Sequence, residues 1–269
     1  MDSGKETSGG SQSIDRALSL LSLVASHGGD EVPMPELTEK TGLSRPTVRR
    51  IMLALMRAGY VEQAPQGGYF PGPECLVVGT MAARRHNLLD ASMDSLIALA
   101  AACGDSSFVS VRRGSYSVCL HREEGDFPIR THVLQPGARH PLGVGAGAMA
   151  ILAALPEDEI EQVLEATNAE RRADFPGFTE EFLRREIAAQ QSRGWTLNPG
   201  MYVANSWAIG VPVKGAAGRV LGSISIAAID NRMTPDRQAA LGKMLLEQAK
   251  IIEGRLTVPT RTPQNQSAG

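Results

Sequence analysis

The sequence predicts an α+β protein of two domains, and three observations support this fold class. The chain has 269 residues, which is more than one average domain of about 150 residues needs. Apolar residues recur at helical spacing over residues 14–58, and a short hairpin pattern with a glycine turn follows them. Beyond residue 104 the apolar period falls to two in segments grouped between helices, which favours α+β over a doubly wound parallel sheet.

Composition excludes several classes of protein. Hydrophobic residues make up 42% of the chain and charged residues 21%, as in packed globular proteins. The longest unbroken apolar runs, residues 96–103 and 148–155, are far shorter than the ~18–20 residues that span a bilayer. The N-terminus lacks the basic-then-apolar pattern of a signal peptide, so we expect a cytoplasmic protein without membrane partners.

The cysteines and the net charge further restrict the class of protein to which the chain can belong. Cys75, Cys103 and Cys119 form no C-x-x-C pair, which argues for a reducing compartment and against a disulfide scaffold or a structural zinc site. The net charge of −2 excludes a globally basic protein but leaves room for a local basic cluster that binds DNA.

The N-terminal elements follow the order of a winged helix-turn-helix. Ser13 can cap a first helix that ends at Gly28-Gly29, and a short second helix over residues 35–41 is closed by Gly42. Ser44 caps a third helix over residues 45–58, with Pro46 in its first turn. An extended segment at 59–62, a glycine turn at 67–68 and a returning segment at 69–70 complete the unit. We therefore predict a winged helix-turn-helix domain over residues 13–74, preceded by a disordered tail at 1–12.

The rest of the chain predicts a linker helix and a larger α+β domain. The linker is residues 75–89, the second domain is residues 90–257, and residues 258–269 form a second disordered tail. Asp90 can cap the first helix of this domain and Thr234 the last. Predicted strands cover residues 107–111, 116–121, 129–134, 207–213 and 220–229. Predicted helices between them cover residues 146–155, 157–166 and 179–193.

The third helix carries the sharpest functional signal. Segment 44–57 holds four arginines and no acid, whereas residues 14–74 as a whole hold six basic and seven acidic residues. The positive charge is thus concentrated on one helix, the distribution that recognition of the DNA major groove requires. A solvated arginine face on an ordinary surface helix is the simpler alternative, but the glycine turn and the hairpin favour DNA. The predicted DNA-binding residues are Ser44, Arg45, Pro46, Thr47, Arg49 and Arg50.

The sequence resembles the IclR-type bacterial transcriptional regulators on motifs that occur in order along most of the chain. The N-terminal motifs are residues 13–18 (SIDRAL), 37–43 (LTEKTGL), 47–50 (TVRR) and 59–62 (GYVE). The C-terminal motifs are residues 137–142 (GARHPL), 153–156 (AALP), 193–195 (RGW), 212–213 (PV) and 223–235 (SISIAAIDNRMTP). The resemblance covers residues 13–256, and the set in register is specific although each motif alone is weak.

This resemblance implies a ligand-responsive regulator that is not an enzyme and needs no cofactor. The partners would be a double-stranded DNA operator and a small-molecule effector, often a metabolite or an organic acid, bound by a GAF-like domain with an antiparallel sheet. The first helix and the linker helix would form a homodimer, and dimers of this family commonly pair into tetramers. We expect Ile14, Leu18, Leu21 and Val24 to contribute to that dimer together with Leu76 and Met81.

The resemblance also implies where the effector binds. The corresponding residues here are Gly145, Ala146, Gly147, Asn198, Ser206, Ala208, Ser225 and Ala227. Several departures remove charged or reactive groups: Asn198 stands where an acid is frequent, Ala208 where a cysteine is frequent, and Met149 where a lysine is usual. Gly143 replaces a usual histidine. We therefore expect a neutral, roomy pocket for a ligand larger than a two-carbon acid, such as an aromatic acid. Trp207 lies nearby, although strand alternation can direct it to the other face.

Two other readings stay open at this stage. Residues 143–148 match a loosened dinucleotide fingerprint, G-x-G-x-x-A, which would suit an NAD-dependent enzyme if a βαβ unit surrounded it. The protein could also bind DNA without sensing a ligand. A zinc site at His121, His132 and His140 is disfavoured, because their spacing is not that of metal ligands on a helix.

Overall fold

The computed structural model describes residues 9–27, 30–83, 87–129 and 134–257. The chain divides into two compact units, Met1–Arg85 and His86–Gly269, as two domains require. Among the described residues, no helix combines the length and the apolar character needed to span a bilayer.

The first unit consists of three packed helices, a two-stranded antiparallel wing and a fourth helix that follows the wing. Its elements are α1 (Gly9–Ala25), α2 (Met34–Thr41), α3 (Arg45–Arg57), β1 (Val61–Gln63), β2 (Tyr69–Pro71) and α4 (Pro73–Ala83). Leu20, Leu37, Val48 and Met52 are fully buried where α1, α2 and α3 meet. Gly42 takes the left-handed conformation that ends α2, with φ of 65°, and so allows the sharp turn into α3.

Three expectations for this unit were wrong. The first helix begins at Gly9 and runs through Ser13, so residues 9–12 are helical and Ser13 is not its cap. It ends at Ala25, and Gly28 and Gly29 lie outside the described residues. The linker helix begins at Pro73, before the predicted start at residue 75, and Ala83 is its last residue before a gap in the described residues. The predicted tails at residues 1–8 and 258–269 also lie outside the described residues.

The second unit is a six-stranded antiparallel sheet with helices on both faces. Its helices are α5 (Leu88–Cys103), α6 (Ala146–Ala153), α7 (Glu157–Asp174), α8 (Glu180–Arg193) and α9 (Pro235–Thr257). Its strands are β3 (Ser106–Arg113), β4 (Tyr116–Glu123), β5 (Arg139–Pro141), β6 (Thr196–Pro199), β7 (Ser206–Lys214) and β8 (Val220–Ile229). The order across the sheet is β5-β4-β3-β8-β7-β6, so β5 and β6 are its edges.

The two faces of this sheet have different characters. Ile209, Val211, Ile224 and Ile226 are fully buried on the face that α5 and α9 cover, where they form a continuous apolar core. The alternate residues of the same strands face α6 and are mostly serine, alanine and glycine. Because successive side chains of a strand point to opposite faces of the sheet, the apolar residues form the core on one face and the small residues leave space on the face toward α6.

Three expectations for this unit also needed correction. Ile129 and Leu134 lie in no strand, and residues 130–133 of the predicted third strand fall outside the described residues. The strand that pairs with β4 is β5, whose three residues are too few to show a period. Helix α5 begins at Leu88 with Asn87 as its N-cap, so Asp90 lies in the first turn, where its charge favours the helix dipole. The edge strand β6 was not predicted.

Candidate functional site

The exposed face of α3 carries a cluster of four arginines. Val48, Ile51 and Met52 are buried on the inner face of the helix. Arg45, Arg49, Arg50 and Arg57 are all exposed, and none makes an ion pair within the described part of the chain. These guanidinium groups are therefore available to the phosphates or the base edges of a nucleic acid.

The start of α3 carries the remaining residues predicted to contact DNA. Ser44 is the N-cap residue, but its hydroxyl contacts the hydroxyl of Thr47 at 2.9 Å and makes no capping bond to the backbone. Pro46 lies in the first turn and is exposed. The structure thus brings all six predicted residues to one exposed end of α3. The wing contributes no cation, because residues 61–71 contain neither lysine nor arginine.

A cavity lies between α6 and the small-residue face of the sheet. Its space is about 580 Å³, counted to include the mouth that opens to solvent. All eight residues predicted to bind an effector line this cavity: Gly145, Ala146, Gly147, Asn198, Ser206, Ala208, Ser225 and Ala227. The wall also includes nine residues outside that set: Phe108, Ser110, Ser117, Cys119, Leu134, His140, Val144, Ala148 and Tyr202.

Strand register brings these distant residues together. Ala208 of β7 pairs with Ala227 of β8 on one side and with Asn198 of β6 on the other, so the three share one row across the sheet. Trp207 packs against the apolar core on the other face, as strand alternation dictates, and does not line the cavity.

The first turn of α6 is pressed against the sheet. Gly210 of β7 makes this possible, since a Cβ at that position would lie 2.5 Å from the carbonyl oxygen of Ala146. The hydroxyl of Thr196 donates a hydrogen bond to the same carbonyl at 2.8 Å. Gly145, with φ of 85°, lets the chain turn into the helix and leaves open space where a side chain would stand.

This end of α6 offers hydrogen-bond donors that have no acceptor among the described residues. The backbone N–H groups of Ala146, Gly147 and Ala148 belong to the first turn, which has no intrahelical acceptors, and no side chain caps the helix. Ser223 is 1% exposed and its hydroxyl has no hydrogen-bond partner among the described residues. The hydroxyls of Ser223 and Ser225 lie 3.0 and 3.4 Å from the position that a Cβ of Gly147 would take. Such a cluster at the positive end of a helix dipole suits an anion.

Two titratable side chains of the cavity, His140 and Cys119, are uncharged at neutral pH. Burial lowers the pKa of His140 to about 4. Burial raises the pKa of Cys119 to about 12, and its thiol donates to the carbonyl of His121. Asn198 accepts a hydrogen bond from the backbone N–H of Met201 at 3.0 Å, which leaves its amide N–H₂ group free to donate. The described lining residues include no lysine, arginine, aspartate or glutamate.

The structure does not support the dinucleotide or the metal alternative. The segment at 143–148 enters α6 beside a wholly antiparallel sheet, whereas the fingerprint requires a parallel βαβ unit. Within the described ranges, no three histidine, cysteine or acidic residues form a group that could hold a metal ion. His121 pairs instead with Glu123 at 3.1 Å, and His132 lies outside the described residues.

Comparison with known proteins gives matches over both units. Residues 80–253 match the family model for the C-terminal domain of the bacterial transcriptional regulator IclR, and residues 13–65 match the IclR helix-turn-helix domain. The chain is similar to the HTH-type transcriptional regulator BhcR of Paracoccus denitrificans, with 25% identity over 93% of this chain and 88% of that protein. It is also similar to the transcriptional repressor IclR of Escherichia coli, with 23% identity over 90% of this chain and 88% of that protein.

Solved structures show the same fold. An IclR transcriptional regulator from Silicibacter sp. TM1040 superposes with a TM-score of 0.76 and 26% identity, covering 91% of this chain and 96% of its own. An IclR homologue from Microbacterium hydrocarbonoxydans, solved in complex with 4-hydroxybenzoate, superposes with a TM-score of 0.70 and 18% identity. That match covers 91% of this chain and 98% of the homologue. The relatives are named as regulators or repressors, which agrees with a function other than catalysis.

Proposed function

The chain belongs to the IclR family of bacterial transcriptional regulators, and from that premise we propose a function for each of its two units. Residues 13–74 bind a double-stranded operator, residues 75–89 link the units, and residues 90–257 form a GAF-like domain that binds a small organic acid. Proteins that bind the bacterial chromosome are located in the cytoplasm, and we propose the same location for this protein.

The observation that carries the DNA-binding half is the set of unpaired arginines on α3. Surface arginines commonly find a carboxylate, yet none of these four does so within the described residues. We assign base or phosphate contacts to Arg45, Arg49 and Arg50. Ser44, Pro46 and Thr47 would position the start of α3 against the sugar-phosphate backbone that borders the major groove.

Binding to duplexes selected from a randomised pool tests this assignment. Arg50→Ala should weaken binding by about 1–3 kcal/mol if the lost contact is to a base edge. If the lost contact is to a phosphate, the slope of log K against log salt should fall by about 0.9. Arg219→Ala is the matched control, since Arg219 is also exposed and makes no ion pair with a described residue but lies in the second unit. Equal affinity of wild type, Arg49→Ala and Arg50→Ala would remove α3 from the interface.

The cavity supports the effector half of the proposal. The N–H groups at the start of α6 and the hydroxyl of Ser225 would hold the carboxylate, while Asn198 and Ser206 would donate to other oxygens of the ligand. The apolar surface of Ala208 and Ala227 would contact its carbon skeleton. An anion needs no lysine or arginine here, because backbone donors and the helix dipole stabilise it.

A thermal-shift titration with 4-hydroxybenzoate, the ligand of the Microbacterium homologue, is the first test. Binding to the folded state must raise the melting temperature, because it stabilises by RT ln(1 + [L]/Kd). If DNA binding holds while no organic acid raises the melting temperature, the alternative of a regulator that senses no ligand is favoured.

The exposed apolar residues of α1 and α4 support a homodimer. Ile14, Leu18, Leu76 and Met81 are 62, 56, 75 and 50% exposed, whereas Val24 is fully buried and Leu21 packs against the core of its own unit. We therefore assign only the first four to the dimer surface. Sedimentation of the full chain tests the oligomeric state, and we expect dimers that pair into tetramers.

A further inference from the structure

We propose that Leu53 reads a thymine in the operator, through contact with the C5-methyl group of that base in the major groove. The inference rests on the proposed binding of DNA by α3. It goes further because it assigns sequence specificity to a side chain that neither carries charge nor forms hydrogen bonds, and because it names the base that this side chain selects.

Leu53 is an apolar side chain on the solvent side of α3. It is 43% exposed, and it is the only large apolar side chain that is exposed within Arg45–Arg57, all of which the structure describes. The inner face of the helix supplies Val48, Ile51 and Met52 to the core of the unit. Leu53 is neither one of the buried residues of that core nor one of the partly buried residues packed against it. Packing within the unit therefore does not account for a leucine at this position.

Helix geometry places Leu53 among the arginines of α3. Seven residues of the helix are exposed, and at 3.6 residues per turn they cover an arc of about 180° around the axis, with Leu53 near its middle. Arg49 and Arg57 lie four residues before and after Leu53, and Arg50 lies three residues before it. Side chains at these spacings are neighbours on a helix surface. The face that the arginines would hold against DNA therefore carries an apolar group at its centre.

The central position determines which part of the DNA Leu53 would contact. A helix with its side chains is about 10–12 Å wide, and the major groove of B-DNA is about 12 Å wide. A helix in this groove presents the middle of its exposed face to the base edges and the flanks of that face to the two phosphate backbones. Arginine side chains are long enough to reach phosphates or bases from either place. A leucine in the middle is short and would meet the base edges.

The chemistry of the base edges then favours thymine. Guanine, adenine and cytosine present hydrogen-bond donors and acceptors in the major groove, and thymine alone adds an apolar group, its C5-methyl. A leucine placed over a donor or an acceptor removes water from it without replacing the lost hydrogen bond, which is unfavourable. Placed over a thymine, the leucine and the methyl group shield each other from water. Leu53 thus favours thymine and also disfavours the other bases, and both effects contribute to specificity.

Replacement of single thymines by uracil tests the proposal with the full chain and a duplex selected from a randomised pool. Uracil lacks only the methyl group and keeps the hydrogen-bonding pattern of thymine. We expect at least one thymine at which the replacement raises the Kd of wild type by about 4-fold, the effect of one methyl-sized group removed from water. In Leu53→Ala the same replacement should change the Kd by less than about 1.5-fold, because a double-mutant cycle isolates the contact between the two groups.

Two controls separate the methyl contact from other effects. With cytosine or 5-methylcytosine at the same position, wild type should favour the methylated base by about 4-fold, whereas Leu53→Ala should not distinguish the two. Leu53→Ala should keep the melting temperature of wild type, since the side chain lies outside the core and alanine favours the helix. Ile251→Ala is the matched variant: Ile251 is 45% exposed on α9, and its removal should leave the methyl preference unchanged.

Three results would overturn the inference. The first is a selected duplex in which uracil weakens binding of wild type at no thymine, and the second is an equal loss in wild type and Leu53→Ala at every thymine. The third is a lower sedimenting mass of Leu53→Ala with an unchanged preference for thymine, which would place a second copy of this chain on Leu53. None of them contradicts the role of the arginines of α3, which fails only if Arg49→Ala and Arg50→Ala bind the selected duplexes as wild type does.

Discussion

Replacing Gly210 with alanine should show how strongly the first turn of α6 depends on close contact with β7. The added Cβ would lie 2.5 Å from the oxygen and 2.7 Å from the carbon of the Ala146 carbonyl, and 2.9 Å from the nitrogen of Gly147. Favourable non-bonded contacts need about 3.5 Å, so the helix start or the strand must move by about 1 Å. No side-chain rotation relieves this clash, because every atom concerned is backbone.

The expected destabilisation follows from two contributions. Overpacking in a well-packed interior costs about 1–3 kcal/mol. The same movement weakens the hydrogen bond from Thr196 to Ala146, which contributes about 1 kcal/mol. The free energy of unfolding should therefore fall by about 2–4 kcal/mol, and the melting temperature of a unit of this size by about 4–16 °C.

Gly254 provides the matched control for Gly210. A Cβ at position 254 meets nothing within 4 Å, and the residue lies inside α9. Gly254→Ala should stabilise by about 0.5–1 kcal/mol, since alanine loses less backbone entropy than glycine in a helix. Thermal unfolding of the full chain by circular dichroism measures both variants. A titration with 4-hydroxybenzoate should show weaker binding in Gly210→Ala alone, because its anion-binding N–H groups have moved. If Gly210→Ala is as stable as wild type and binds 4-hydroxybenzoate equally well, the first turn of α6 does not depend on close contact with β7.

Three further predictions concern the cavity wall, the dimer surface and the buried histidine. Ala208→Trp should fill the cavity and abolish the ligand response while operator binding persists, and a folded variant with wild-type effector affinity would place the pocket elsewhere. Leu76→Asp should reduce the sedimenting mass of the full chain relative to wild type, and an unchanged mass would exclude α4 from the interface. In the folded chain, the pKa of His140 is lowered from 6.5 to about 4. As the pH falls from 6.5 to 4, the imidazole is therefore protonated in the unfolded chain before it is protonated in the folded chain, and the free energy of unfolding decreases. Between pH 7 and pH 4, wild type should lose up to about 3 kcal/mol more unfolding free energy than His140→Phe, and equal losses would contradict the buried, neutral imidazole.

Local sequence was sufficient to predict helix α3 and its exposed arginine face, whereas its contacts with DNA stay a prediction. The glycine turn at Gly42, the position of Ser44 before the helix and the arginine face all lie within one short segment, so spacing alone predicted them. Strand β8 was likewise predicted with its observed bounds, because serine and isoleucine alternate over residues 223–226 and give a period of two. The eight cavity residues followed from the family resemblance and not from any local pattern. Whether they bind an effector stays a prediction.

Tertiary structure alone decided how the cavity is closed. Edge strands β5 and β6 have three and four residues, too few to show a period, and their hydrogen bonds come from partners elsewhere in the chain. The sequence therefore marked His140 only as a histidine without metal spacing and did not indicate Tyr202. Their rings meet although β5, which carries His140, and β6, which precedes Tyr202, are opposite edges of the sheet. Local spacing specifies which side chains share a face of one element, but long-range packing determines which faces meet.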